Sequence, residues 1–337
     1  MSIYSHGGQV EDFASKLGCK VEDIIDLSSN INFIKPSINM DFNELDISSY
    51  PTYENLYKSI ASNYKIKPNQ LELFNGGSSA IFTLFRHLNL NHCTIYSPAY
   101  LEYKKAANTF GYKISHINRL NILDQIVEEN SFVIFVNPST PDGQLYSFDE
   151  LMQYWISQNC TILIDESFLD FTNGESMIKY LDEYDKLYIL KSMTKFYSSA
   201  GIRVGSLVSS EKNIKNIKEY EPMWKLSQFD SHYLQEALRD KTFKSISKSI
   251  NAKNSILLEN ILKESKIFSE VLNSSANYIL AKLKDITAQQ LQEHLKEYKI
   301  LIRDCSNFDY LDNTYVRFAV KSEKQLKVLQ QALISLS

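Results

Sequence analysis

Residues 187–205 read LYILKSMTKFYSSAGIRVG, and the fold turns on the polar groups that come after its apolar run. Leu187-Tyr188-Ile189-Leu190 has the composition of a buried strand. Lys191 and Lys195 come next, with Ser192 and Thr194 between them. Arg203 stands between Ile202 and Val204, bracketed by Gly201 and Gly205. An amine, hydroxyls and a guanidinium released at a strand end suit a ligand that is both a carbonyl compound and an anion. Lysine condenses with an aldehyde, while serine and arginine hold a phosphate. The same letters also describe a surface lysine after an ordinary strand, and a stretch this short does not choose between the two.

Working upstream, the theme repeats. Gln70 to Phe74 is a short strand candidate that runs into Asn75-Gly76-Gly77-Ser78-Ser79, with a helix pattern over Ala80 to Leu88. Such a turn presents backbone N–H groups to an anion, and it is equally a plain capped turn. Cys93 to Tyr96 is a strand ending at Ser97-Pro98-Ala99-Tyr100, followed by a helix from Leu101 to Phe110 that Gly111 stops. Phe132 to Val136 is a buried strand running into the turn-rich Asn137-Pro138-Ser139-Thr140-Pro141-Asp142-Gly143. Ser147-Phe148-Asp149-Glu150 has the form of a capping box opening a helix to about Gln158. Thr161 to Ile164 is a strand that delivers Asp165 and Glu166. Strands alternating with helices predict a mainly parallel sheet flanked by helices, an α/β architecture. Ligands of such sheets sit at the carboxyl ends of the strands. Gly76, Gly77, Ser78, Tyr100, Asn137, Asp165 and Lys195 all fall at or just past those ends.

The flanks have a different character. Val10 to Leu17 reads as a short helix ending near Gly18, and Ser28-Ser29-Asn30-Ile31-Asn32 as an arm or a loop reaching into a site. Tyr50-Pro51 marks a turn before a helix over Glu54 to Tyr64. Beyond residue 210, segments 211–220 and 229–265 are helix-like. Tyr278 to Leu283, Lys299 to Ile302 and Tyr315 to Val320 read as strands, and Glu323 to Ser335 as a closing helix. The expected organisation is an N-terminal arm with part of a small domain (1–45), a large domain (46–225) and a smaller α+β domain (226–337). A net charge of -4 over 337 residues gives no basic footprint for nucleic acid. No apolar run approaches a bilayer span. The first residues, MSIYSHGGQVEDF, lack the pattern of a signal peptide. Cys19, Cys93, Cys160 and Cys305 are far apart, as reduced thiols of a cytoplasmic protein would be, and no histidine spacing suggests a metal site.

One cofactor uses all of these groups. Pyridoxal phosphate needs a lysine for its aldehyde, an anion beside its ring nitrogen, a phosphate cup and a stacking group. Asp165 is the candidate for the nitrogen. Gly76, Gly77, Ser78, Ser192 and Arg203 are candidates for the cup, Tyr100 for stacking and Asn137 for the ring oxygen. The residues alone leave Lys191 and Lys195 as equal candidates for the aldehyde, since a spacing of four puts both on one side of a helix.

With these segments assembled, the chain resembles the fold-type I pyridoxal phosphate enzymes of the class I/II aminotransferase superfamily. Within it, the chain is most similar to the CobD-type L-threonine-O-3-phosphate decarboxylases, relatives of histidinol-phosphate aminotransferases. The resemblance is carried by His6-Gly7-Gly8, Asp26 through Asn32, Tyr50-Pro51, Asn75 through Ser78 and Asn137 through Gly143. Asp165 through Phe171, Lys191 through Gly205, Ile302 through Phe308 and Tyr315-Val316-Arg317 complete it. It implies the aspartate aminotransferase-like fold, with Lys195 as the cofactor lysine, Asp165 at the ring nitrogen and Asn137 at the ring oxygen. It also implies a homodimer in which Tyr50 reaches the neighbouring subunit's cofactor phosphate. Arg317 is implied at the substrate carboxylate with Asn32 nearby, Arg303 and His6 at a substrate phosphate, and Gly8 beside them. The implied reaction is decarboxylation of L-threonine O-phosphate or L-serine O-phosphate, giving the aminoalkyl phosphate linker of cobamides. The alternative is an aminotransferase acting on histidinol phosphate. Two departures bear on the choice. Phe168 stands where many aminotransferases carry a tyrosine, and Ser198-Ser199-Ala200 replaces the usual Ala-Ile-Pro.

Overall fold

The computed structural model describes residues 6–336; the first five residues of the N-terminal segment lie outside that range. Among the described residues the largest sheet has seven strands. Their order is Leu71–Asn75, Val204–Val208, Leu187–Ser192, Thr161–Asp165, Phe132–Val136, His92–Ser97 and Lys113–Asn118. The five from Leu187–Ser192 to Lys113–Asn118 are mutually parallel, and Val204–Val208 runs antiparallel to both its neighbours. Every residue of Phe132–Val136 and of Thr161–Asp165 is buried. Helices therefore cover both faces, and the sequence shows continuous apolar runs instead of alternation.

Besides the two-residue strands Ile25–Asp26 and Arg303–Asp304, three strands escaped the sequence reading, and each of the three has a reason. Lys113–Asn118 is an edge strand with a half-exposed, polar-rich pattern. Phe268–Val271 is likewise a partly exposed edge strand, in the smaller sheet. Val204–Val208 contains Gly205 and Ser206, which lower strand propensity. Gly205 is required there. A Cβ at this position would lie 2.5 Å from the Gly77 nitrogen, so the start of a helix packs directly on the strand. That helix, Gly76–Leu88, begins four residues earlier than expected. The Gly-Gly-Ser segment is thus its first turn; the Gly76 N–H is taken by the Arg203 carbonyl, which leaves those of Gly77 through Ser79 without a partner inside the helix.

The smaller domain holds a four-stranded antiparallel sheet in the order Arg303–Asp304, Tyr315–Ala319, Tyr278–Leu283 and Phe268–Val271. The N-terminal segment pairs and packs with residues of the same region. Ile25–Asp26 pairs in parallel with Ile300–Leu301, and Leu27 is buried with Leu258, Leu291, Phe318 and Leu329. Gly18 ends the helix Val10–Leu17 in the left-handed conformation, φ 64°.

Two expectations need correction. Segment 229–265 is two helices, Gln228–Arg239 and Phe243–Glu264. They are separated where the Asp240 carboxylate accepts the Thr242 and Phe243 N–H groups. Leu234, Ala237 and Phe243 bury into the same core as Leu56 and Ile60, whereas Leu258, Ile261 and Leu262 belong to the small-domain core. The division between cores therefore falls inside the long helix and not at residue 225. The capping box at Ser147 also does not form. The helix Asp149–Ser157 follows Phe148, which offers no side-chain cap, and Asp149 instead accepts the Tyr180 hydroxyl at 2.6 Å. Among the described residues no helix is long and apolar enough to cross a membrane, and no cluster of three or more metal-ligating side chains occurs.

Candidate active site

A cavity of about 180 Å³ opens at the carboxyl ends of the parallel strands, where the two domains and the N-terminal segment meet. The strand Leu187–Ser192 ends at its floor, and the one-turn helix Met193–Phe196 carries Lys195 into it. Protein surrounds Lys195 except where it meets the cavity. Burial, then the charges of Arg317 and Arg203, push its amine down to about 8, against the opposing pull of Asp165. An amine in that range is about one-tenth neutral at pH 7, far more than an ordinary lysine, and is mostly a neutral nucleophile above about pH 8.

Lys191 lies outside the cavity lining. It is buried, ion-paired with Glu166 and placed 4.7 Å from the centre of the Tyr64 ring. Glu166 also accepts the Ser176 hydroxyl at 2.6 Å and the Met177 N–H at 2.7 Å. Sequence reasoning leaves the two lysines level. The structure separates them: Lys191 belongs to the strand and faces away from the cavity, Lys195 to the helical turn that faces it. Removing one partner of a buried pair strands the other charge, which costs about 3–5 kcal/mol. Lys191→Met is therefore expected to lower thermal stability by that order, read by a melting curve, while cofactor binding survives in the folded fraction.

Asp165 ends the strand Thr161–Asp165 and is buried. Ser167 donates to Oδ1 through both its hydroxyl (2.5 Å) and its N–H (2.9 Å), and the buried Tyr103 hydroxyl donates to Oδ2 at 2.6 Å. Burial pushes the Asp165 carboxyl up, and the bonds from Ser167 and Tyr103 oppose it. Tyr103 was missed from sequence. Its signal was present, since it lies three residues after Tyr100 on the helix Leu101–Thr109 and so shares a face with the cavity aromatic.

The cavity that Asp165 lines also holds an anion cradle. Gly77 and Ser78 in the first helical turn, Ser192, Thr194 and Arg203 line the same cavity. The Ser78 and Tyr100 hydroxyls are hydrogen-bonded at 3.1 Å, as are those of Ser192 and Thr194 at 2.9 Å. The Gly76 N–H donates to the Arg203 carbonyl, and a Cβ at Gly76 (φ 79°) would lie 2.4 Å from Arg203 Nη2. The arginine therefore lies against the helix start only because glycine is there.

On the other side, Arg303 and Arg317 are cross-strand partners on adjacent strands, both buried and both lining the cavity. Arg317 donates to Thr140 Oγ1 and to the Ser28 carbonyl, each at 3.0 Å, while its buried Nε has no partner among the described residues. Arg303 donates to Asn307 Oδ1 at 2.7 Å and stands over the Phe308 ring. His6 meets Glu102 at 3.1 Å and packs on Tyr100, 5.4 Å between ring centres.

Five expected residues lie outside the lining: Gly76, whose N–H is taken by the Arg203 carbonyl, and Gly8, Asn32, Asn137 and Tyr50. Gly8 is outside the lining; its N–H goes to Ser28 Oγ at 2.9 Å, and Gly7 is the glycine that reaches the cavity. Asn32 is buried and fully engaged: its amide donates to the Phe196 carbonyl and Ser247 Oγ, and its oxygen accepts from Ile34 and Asn251. It has no free group for a substrate carboxylate, and Ser28, Ser29 and Asn30 line the cavity in its place. Asn137 bridges the Tyr146 backbone through both ends of its amide and is not part of the lining. Tyr50 is 72% exposed and stacked on Trp224 at 4.1 Å, on the outer surface of the subunit.

The donor set fits pyridoxal phosphate: a lysine amine of lowered basicity, a buried carboxylate facing it, and hydroxyl, backbone and guanidinium donors grouped for one phosphate. Fold and site together define an enzyme of the aspartate aminotransferase-like class that uses this cofactor. The comparisons with known proteins agree. Residues 22–333 match the family described as aminotransferase class I and II, and the chain belongs to that family. It is 29% identical, over 98% of its length, to the adenosylcobalamin biosynthesis bifunctional protein CobDQ of Leptospira interrogans, of which it spans 41%. It is 26% identical to the threonine-phosphate decarboxylase of Salmonella typhimurium, over 98% of this chain and 95% of that one. The solved histidinol-phosphate aminotransferase of Clostridium acetobutylicum superposes with a TM-score of 0.83 at 28% identity, covering 93% of this chain and 99% of that one.

Proposed function

We propose that this chain decarboxylates an O-phosphorylated hydroxy-amino acid, L-threonine O-phosphate or L-serine O-phosphate, to an aminoalkyl phosphate that serves as the cobamide nucleotide-loop linker. The observation that carries this reading is the cross-strand pair Arg303 and Arg317, buried side by side at the cavity. Arg203 and the first helical turn already provide for the cofactor's phosphate, so two more buried guanidiniums call for a substrate with two anions of its own. A phospho-amino acid has them, a carboxylate and a phosphate. Phe168 in the lining supports the same reading, because it offers the cofactor's ring oxygen no hydroxyl of the kind many aminotransferases use.

Bound pyridoxal phosphate supplies the electron sink for the pair left behind when the Cα–carboxylate bond breaks. The protein's part is positional and electrostatic. Arg317, whose Nε has no partner among the described residues, takes the substrate carboxylate, and Arg303 with His6 takes the phosphate. Asp165, fixed by Ser167 and Tyr103, keeps a negative charge opposite the amine. Carbon dioxide leaves, and Lys195 delivers the proton that replaces it at Cα. The two substrates differ by one methyl, worth about 1–3 kcal/mol in a pocket. The active unit is a cytoplasmic homodimer, in which exposed Tyr50 reaches toward the partner's cofactor phosphate.

Relatives named as histidinol-phosphate aminotransferases make transamination the second reading. The deciding assay incubates the cofactor-loaded protein with threonine phosphate, serine phosphate and histidinol phosphate, with and without 2-oxoglutarate. Carbon dioxide release without 2-oxoglutarate is the expected result. Glutamate formed from 2-oxoglutarate and histidinol phosphate, without carbon dioxide, would sink the proposal.

A further inference from the structure

Lys195 sits on a helix of one turn, Met193–Phe196. A helix that short cannot satisfy its own terminal carbonyls, so each of the four must find a partner outside it. The Met193 carbonyl accepts the Tyr197 N–H at 3.1 Å, and the Thr194 carbonyl accepts the Ser199 N–H at 3.0 Å. Between them Ser198 adopts a left-handed conformation, φ 52°. This is the first half of a Schellman close. The second acceptor of that motif, the Lys195 carbonyl, takes its proton from the Asn32 N–H at 3.0 Å. The Phe196 carbonyl takes one from Asn32 Nδ2 at 2.8 Å. One residue from the N-terminal segment, 163 positions away in the chain, thus completes the end of the helix that carries the reactive lysine.

Asn32 is itself held on three sides. Its Nδ2 also donates to Ser247 Oγ at 2.6 Å, and its Oδ1 accepts from Asn251 Nδ2 at 2.9 Å; both partners lie on the long helix Phe243–Glu264. The segment just before Asn32 is fixed to the small domain through its carbonyls: Leu27 to the Ala319 N–H, Ser28 to Arg317, Ser29 and Ile31 to the buried Lys321, and Asn30 to Asn277. That same segment supplies Ser28, Ser29 and Asn30 to the cavity.

We propose that Asn32 is a positioning residue that caps the Lys195 helix from a distant segment, so that placement of the cavity-lining loop 28–30 and aim of the lysine are set together. The proposal rests on Lys195 being the cofactor lysine. A group acting through Lys195 should alter the titration of the bound cofactor's visible absorbance, and it should act on kcat more than on KM. A residue that only fills the core should do neither.

The experiment compares Asn32→Ala and Asn251→Ala with Gln292→Ala in the cofactor-loaded protein. Gln292 makes a similar but only partly buried side-chain bridge, to the Ile300 carbonyl and the Ile302 N–H, in the small domain. Asn32→Ala is expected to move the absorbance midpoint by about half a pH unit or more and to lower kcat about tenfold or more, with KM changed less than about threefold, because an ångström of misaim is costly in a reacting pair. Asn251→Ala removes the donor that fixes which way the Asn32 amide faces, and should shift the midpoint in the same direction by less. It carries the test alone if Asn32→Ala does not fold. Gln292→Ala should lower the melting temperature and leave the midpoint in place. An unchanged midpoint and kcat in both asparagine variants, with stability lost as in Gln292→Ala, would overturn the capping role. A Lys195→Ala protein that keeps its absorbance after dialysis would instead overturn the reading of the lysine on which the role depends.

Discussion

Lys195→Ala is expected to lose at least about a thousandfold in kcat, the scale on which removal of a covalent catalytic group is felt. The variant should also lose the visible absorbance of bound cofactor on dialysis. Lys191→Ala is the internal control. Its ammonium is committed to Glu166 and the Tyr64 ring, so that variant should lose stability but keep its absorbance once folded. Exchange of these two outcomes would reverse the lysine assignment. The same residue sets a pH dependence. Only the neutral amine attacks an aldehyde, and burial together with Arg317 and Arg203 holds Lys195 near 8. Capture of added cofactor by the cofactor-free protein should therefore rise with pH, tenfold per unit at first, and level off above about 8. The linkage has a definite sign. The folded value lies below the ordinary 10.5, so between about pH 8 and 10.5 the unfolded chain binds more protons than the folded one. In that window the lysine's contribution to stability rises with pH, and Lys195→Met should abolish that part of the slope.

How far such a site is legible in sequence depends on what each residue's role rests on. The strands that carry Asp165 and Lys191 were readable because they are buried on both faces and show as unbroken apolar runs. The ends of those strands then located the cavity without any knowledge of packing. Val204–Val208 was not readable, because its glycine answers to a helix start that contacts it from a distant point in the chain. The two lysines could not be told apart from residues alone, since their difference is one of facing direction, set where strand gives way to helical turn. Asn32 was misread for a related reason. An asparagine in a polar segment looks like a ligand group, and only the positions of Phe196, Ser247 and Asn251 show that its hydrogen-bonding capacity is exhausted. Local chemistry is written in the sequence; whether a polar group is free to use it is decided by contacts between segments far apart.

The arginine pair gives the second large effect. Arg303 and Arg317 stand side by side on adjacent strands, so under the proposed function a substrate would meet two buried charges in low-dielectric surroundings. Losing one partner of a buried, hydrogen-bonded charge pair costs about 2–5 kcal/mol, or roughly thirtyfold to several thousandfold in kcat/KM. The two positions should separate by substrate. Arg317→Ala is expected to weaken threonine phosphate and its unphosphorylated parent alike, because both carry the carboxylate. Arg303→Ala should weaken only the phosphorylated compound and leave the low rate on the parent amino acid nearly unchanged. Lysine should rescue Arg317 poorly, since a single ammonium cannot keep the bonds to Thr140 and Ser28 and also form a two-point contact with a carboxylate. Steady-state kinetics on the two substrates with each variant decide the matter. Equal losses on both compounds in Arg303→Ala would remove that arginine from the phosphate, and with it the main ground for choosing a phospho-amino acid as the substrate.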